Sequence, residues 1–172
     1  MTTESTMVHN GLTVRTKEPL KPMAGVDTQS AALMFPEKTL QSGVNYNKPF
    51  TLYTTDDLVK LDPEGLGYAN ARYFLETARI PLDIILVPHA DTPEEIKAAL
   101  VGKTDANGQK TGVPAFELCN FAPTNVGVIG GKGIEIANQL GTYCDDAYAE
   151  GWTDCTDSNT QAALDYADDL NI

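Results

Sequence analysis

The stretch Ile80–Leu100, IPLDIILVPHADTPEEIKAAL, restricts the possible folds more than any other part of the chain. Leu82 to Val87 is a short, almost uninterrupted apolar run of strand-forming residues, the pattern of a strand covered on both faces. Pro88 and the turn His89-Ala90-Asp91 end it. Thr92 then suits a helix N-cap, Pro93 the first helical position, and Glu95 completes an S/T-x-x-E capping box. Ile96, Ala99 and Leu100 fall on one face of that helix. A buried strand feeding directly into a one-sided helix is half of a βαβ unit. The expected fold class is therefore α/β, a layered domain with a mainly parallel sheet flanked by helices.

The flanking chain fits that expectation. Gly11 to Arg15 (GLTVR) alternates apolar and polar residues over a strand length, with Leu12 and Val14 sharing a face. Pro19, Pro22 and Gly25 make the following segment an extended connection. Two readings of Gly11–Arg15 stay open: an edge strand of its own domain, or an arm that adds to a neighbour's sheet. Residues 1–25 form this arm and linker, and 26–172 the α/β body. Within the body, Gln29 to Phe35 reads as a core strand ended by Pro36, and Phe50 to Tyr53 as a second, short one. Thr54 to Asp57 starts a brief helix through Leu61, which Pro63 to Gly67 breaks. Tyr68 to Arg79 is a helix with Ala71, Phe74, Leu75 and Ala78 on one face. Val101 to Gly112 reads as an exposed loop, Pro114 to Asn120 as a short helix, Val126 to Ile129 as a buried strand and Ile134 to Leu140 as its helix. A poor strand is expected around Ala147 to Glu150. Asp157 or Ser158 then caps a closing helix whose Ala163, Tyr166, Ala167 and Leu170 face inward. A helix at the end of an α/β unit is normally followed by a strand, so the chain is expected to be a piece of something longer.

Charge and cysteines narrow the functional classes. The net charge is −12, and after Lys132 there are nine acids and no Lys or Arg. The first 132 residues hold 15 acids and 12 bases, or −3. Phosphates would be repelled by such a chain, so no nucleic-acid partner is expected. The acidic end is either a solvated face or a docking surface for a basic patch. No window reaches the roughly 18 apolar residues of a membrane span, and no membrane insertion is expected. The opening MTTESTMVHN has neither a basic segment nor an apolar core, so export by a signal peptide is not expected. Cys119, Cys144 and Cys155 cannot all pair with one another and read as reduced thiols of a protein made in the cytoplasm.

The motifs that could carry chemistry are few. Gly102-Lys103-Thr104 resembles the end of a phosphate loop, but Lys97 stands where the first glycine belongs and a helix, not a strand, precedes it. Gly130-Gly131-Lys132-Gly133 follows a strand and opens a helix, where backbone amides can hold an anion. Ile136 occupies the third glycine position of the dinucleotide fingerprint. The turn is either a packing device or the site of a small nucleotide- or anion-binding module. His9 and His89 are the only histidines, and no G-x-S-x-G marks a nucleophile for them. Cys144 and Cys155, with Asp145, Asp146, Asp154 and Asp157 nearby, lie eleven residues apart rather than at zinc spacing, and no calcium loop is present. Neither a catalytic constellation nor a metal or cofactor site is expected.

Taken in order, these elements resemble the N-terminal half of the contractile-tail sheath proteins of myophages and R-type pyocins. The resemblance runs from about Val8 to Leu170. It rests on HNGLTV, on NKPFTLYTTDD before a short helix, and on the strand of PLDIILVPHADTPEE with its acid-rich turn. It continues through Thr111-Gly112-Val113-Pro114-Ala115-Phe116 and the strand Pro123 to Gly130, then IANQL and TQAALDYADDL. The resemblance implies a structural subunit of the virion, assembled in the host bacterial cytoplasm as a helical stack of hexameric rings around an inner tube. It implies Gly11, Leu12, Thr13, Val14 and Arg15 as an inter-subunit arm. Other copies of the subunit, the tail tube, and the baseplate and terminator proteins are the implied partners, and contraction of the lattice drives the tube through a cell envelope. It implies no enzyme activity and no cofactor. Sheath proteins of this family usually carry a further C-terminal domain, which nothing in this chain matches.

Overall fold

A computed structural model of the chain describes residues 30–154. The arm Gly11–Arg15, the linker, His9, Cys155 and the closing segment from Asp157 to Leu170 lie outside the described residues. Seven strands and three helices follow in order: β1 (Ala31–Glu37), β2 (Phe50–Leu52), α1 (Leu66–Ala78), β3 (Leu82–Pro88), α2 (Pro93–Val101), β4 (Lys103–Thr104), β5 (Lys110–Thr111), β6 (Asn125–Lys132), α3 (Ile134–Ala147) and β7 (Glu150–Asp154). Two 3-10 turns, Thr55–Lys60 and Val113–Leu118, complete the set. Five strands form one sheet in the order β2-β3-β1-β6-β7. Only β2 runs antiparallel to its neighbour. The expected layered α/β fold with a mainly parallel sheet is what these residues adopt.

Period-two alternation sends each strand's side chains into two separate cores. Ala32, Met34, Ile85, Val87, Val126 and Val128 face α2, α3 and the second 3-10 turn. Ala31, Phe35, Leu82, Ile84 and Leu86 face α1 and the first 3-10 turn. Leu82 through Val87 are all buried, as a strand sandwiched between two helical layers requires. The α2 start is also as its sequence indicates: Thr92 Oγ1 accepts from the Glu95 N–H at 3.3 Å, with Pro93 in the first turn. Among the described residues no helix is long and apolar enough to cross a membrane.

Several expectations are corrected. Pro36 does not end the first strand but lies inside β1, paired in register with Val87. The ladder from β1 to β6 stops at Met34, so a residue without an N–H leaves no gap on that side. Helix α1 starts at Leu66, inside the stretch that reads as a breaker, because Gly67 lets the helix approach the Phe35 ring where a Cβ would collide. Ala78 is exposed rather than core-facing. The loop 101–112 contains the β4–β5 hairpin. Pro114–Asn120 is not an α-helix but a 3-10 turn at Val113–Leu118. The largest difference is at α3, which runs seven residues past Leu140 to Ala147 and stops at Tyr148 in the left-handed region. The strand that follows is Glu150–Asp154, parallel to β6, because Gly151 admits Leu140 and Cys144 of α3 against its backbone.

Close approach at Gly67 makes it more sensitive than a glycine in open space. We expect Gly67→Ala to cost about 2–3 kcal/mol through overpacking against Phe35. Gly108→Ala, at a positive φ but with nothing near its Cβ, should cost only about 1 kcal/mol. Urea unfolding of both variants measures the difference.

Candidate functional site at the carboxyl edge of the sheet

The strand order places a topological switch between β1 and β6. The chain leaves β1 for β3 by way of α1 on one face. It then crosses back to β6 by way of α2 on the other. In open α/β sheets the crevice at the carboxyl ends of such strands is where ligands bind. Here it is bounded by Pro36 and Glu37 of β1, the Gly130–Gly133 turn of β6, and the start of α1 at Gly65–Gly67.

That crevice is packed with protein. Gly130, at φ +85°, leaves room only for Leu66 and for Pro36, whose Cδ would lie 2.8 Å from an added Cβ. Gly131 accommodates Leu100 and Ile136, and Gly65 accommodates the Glu37 carboxylate. Each glycine is used to bring backbone against a side chain.

One amide of the turn is also engaged. Gly130 N–H donates to Asp154 Oδ2 at 2.7 Å. The Glu135 carboxylate, in the first turn of α3, is held below its ordinary range by its own backbone N–H and then by Lys97. Lys97 Nζ lies 2.7 Å from Glu94 and 3.2 Å from Glu135. A phosphate entering here would have to displace the Asp154 carboxylate and meet the charge of Glu135.

Glu37 is the unusual group of this edge. Only 3% of the residue is exposed, yet it carries a carboxylate. Oε1 accepts from the Lys38 N–H at 3.0 Å, whereas Oε2 is buried without a hydrogen-bond partner. Burial pushes its pKa up and the nearby Asp62 adds to the rise, opposed in part by the backbone N–H groups of Lys38 and Thr39 and by His89. Its carbonyl accepts from the Tyr46 hydroxyl at 2.9 Å and the His89 N–H at 3.2 Å. His89 itself is exposed in its turn.

A second polar group lies at the opposite end of the sheet. Asp83 of β3, buried in the sheet, accepts from the Thr51 hydroxyl on neighbouring β2. Burial, and then Asp83, raise the Cys119 thiol far above its usual range. Burial pushes Cys144 up to about 12 and Tyr143 higher still. Neither cysteine is a thiolate near neutral pH, so neither is poised as a nucleophile. A cavity of about 480 Å³ opens beside them, between Val113, Pro114, Glu117, Tyr143 and Asp146. Among the described residues no group of three His, Cys, Asp or Glu side chains is placed to hold a metal ion. Gly102 and Gly112 pack backbone to backbone at the base of the hairpin, so Gly102-Lys103-Thr104 opens β4 and forms no phosphate loop.

Sequence reasoning singled out the Gly130 turn but missed Glu37 and Asp83, and it weighed Asp154 only as a metal-ligand candidate beside Cys144 and Cys155. Asp83 had a visible signal, a lone acid within an apolar run. Glu37 had none, and neither did the bond from the Gly130 turn to Asp154, because these surroundings come from distant segments. No protein-family model matches the chain, and no curated protein matches it.

A carboxyl whose folded pKa exceeds its unfolded value favours folding at acid pH. That contribution is lost as pH rises from the unfolded towards the folded value. Glu37→Gln removes the loss and retains an oxygen for the Lys38 N–H. Its stability relative to the parent should therefore improve between about pH 4 and about pH 8. Urea unfolding at both pH values tests this, and a constant difference would show that Glu37 keeps an ordinary pKa.

Proposed function

We propose that this chain is a structural subunit of a contractile phage-type tail sheath, or a portion of one, which assembles with further copies of itself around a tail tube. What supports this reading is the resemblance of the ordered sequence segments, several of which fall on elements of the body. NKPFTLYTTDD spans β2 and its 3-10 turn. LDIILVP is β3, and within Thr-Gly-Val-Pro-Ala-Phe the 3-10 turn begins at Val113 and leads towards the strand β6, which reaches its glycines at Gly130. The packed crevice is consistent with a part whose work is mechanical. A body with α/β layers on both sides of a sheet transmits load with little internal rearrangement, as a repeating lattice demands.

In this reading the arm Gly11–Arg15 adds as a strand to a neighbouring subunit and keeps the lattice joined while it shortens. Baseplate and terminator proteins bound the stack, and the assembled sheath is part of the virion.

The test is assembly. Deleting residues 1–15 should leave the cooperative melting of the body unchanged and abolish rings or tubes when the protein is mixed with tail tube and the remainder of the sheath. Electron microscopy reads the result. Loss of cooperative folding in the deletion would instead return Gly11–Arg15 to the local sheet. Calorimetric binding of nucleotides or flavins, lost on Gly131 replacement, would overturn the mechanical reading in favour of an anion-binding module.

A further inference from the structure

The C-terminal half of α3 turns one face to the cavity beside the second 3-10 turn. Gln139, Thr142, Tyr143, Asp146 and Ala147 follow the i, i+3, i+4, i+7, i+8 spacing of a single helical stripe, and all five line that space. Val113, Pro114 and Ala122 supply apolar wall. At about 480 Å³ the cavity is of the size that holds small molecules. Tyr143 is the group that points to a ligand. Only 7% of the residue is exposed, and its ring packs on Phe116 with the centroids 5.4 Å apart. Its hydroxyl has no hydrogen-bond partner among the described residues, whereas a buried tyrosine hydroxyl usually has one. Burial, then Cys119, Cys144 and Glu117, raise its pKa, so the hydroxyl stays protonated near neutral pH. Cys119 and Glu117 both line the cavity, which places the polar end of the tyrosine towards it.

Charge selects the class of ligand. No Lys, Arg or His lines the cavity, and its two carboxylates are Glu117 and Asp146. Glu117 is paired with Lys110. Asp146 is exposed and has neither an ion pair nor a hydrogen bond among the described residues. Asp83, buried next to Cys119, adds a negative charge with no described cation against it. These groups do not make a metal site. We propose that this cavity binds a small organic cation, a protonated amine carried on an apolar body. The ammonium donates to the Tyr143 hydroxyl oxygen and to the Asp146 carboxylate, and the body lies against Val113, Pro114, Ala122 and Ala147. A hydrogen bond from a charged donor is the stronger kind, and it gives the tyrosine the partner it lacks. An anion would meet two acids and no base. A neutral apolar molecule would leave the hydroxyl unpartnered. Such a site is independent of any sheath assembly and of the Gly130 turn, which stands at the other end of the parallel strands.

Three ligands with the same apolar body and different charge test it: phenethylamine, phenethyl alcohol and hydrocinnamate, each titrated into the intact chain and followed by amide NMR shifts. Phenethylamine should saturate with a dissociation constant of about 1 mM and move the amides of Cys119, Ala122 and Ala147 most. The alcohol should bind roughly tenfold more weakly, and hydrocinnamate more weakly still. Tyr143→Phe keeps the ring on Phe116 and removes only the hydroxyl, and Asp146→Asn changes an exposed position. Each should weaken the amine roughly fivefold, and Asp146→Asn should leave the alcohol unchanged. Equal affinity for amine and alcohol would overturn the proposal, as would shifts that are absent or confined to other residues. Unchanged amine affinity in Asp146→Asn and in a cooperatively melting Tyr143→Phe would overturn it too. If Tyr143→Phe does not melt cooperatively, Asp146→Asn alone decides.

Discussion

Burial of β1 on both faces is the constraint from which the remaining structure follows. The strand pairs with β3 along its whole length and with β6 along its first half, and its alternate side chains enter two different cores. Each fully buried aliphatic or aromatic residue contributes about 1.5–3 kcal/mol. That gain is available only if a helical layer closes each side. Layers on both faces in turn require crossovers above and below the sheet, and β1, placed in the middle, is where they diverge. The topological switch is thus a consequence of double-sided burial rather than a feature added for a ligand.

At that switch the molecule has used its freedom for packing. Gly67 sets α1 against Phe35, Gly130 receives Leu66 and Pro36, and Gly131 receives Leu100. Asp154 and Glu135 place carboxylates at the turn where a nucleotide-binding relative of this topology would place phosphate. The buried Glu37 belongs to the same arrangement. It stands against Gly65 at the start of α1, where the positive end of the helix dipole partly offsets the cost of a carboxylate with one unpartnered oxygen. Such an edge is better suited to holding two layers together than to admitting a ligand, which accords with the lattice role proposed for the chain.

Local chemistry was legible wherever a few adjacent residues decide the outcome. The apolar run of β3, the Thr92–Glu95 start of α2 and the turn cluster at Thr54–Asp57 were readable because capping and strand burial depend on neighbours in sequence. The length of α3 was not. Gly141 and the polar residues after it look like a helix end, and only packing of Tyr143 and Cys144 against Phe116 and Gly151 carries the helix on to Ala147. Pro36 misled for a related reason. Whether a proline ends a strand depends on whether a neighbour needs its N–H, which is a property of the β6 ladder and not of the proline.

By itself the sequence determined the class of the fold, the buried strand at its centre and the helix that follows, because periodicity and capping act over a few residues. It also singled out the Gly130 turn as the one place with the potential to bind an anion. Only the tertiary structure decided that the turn would be filled from within, since Asp154, Leu66 and Pro36 come from three separate segments.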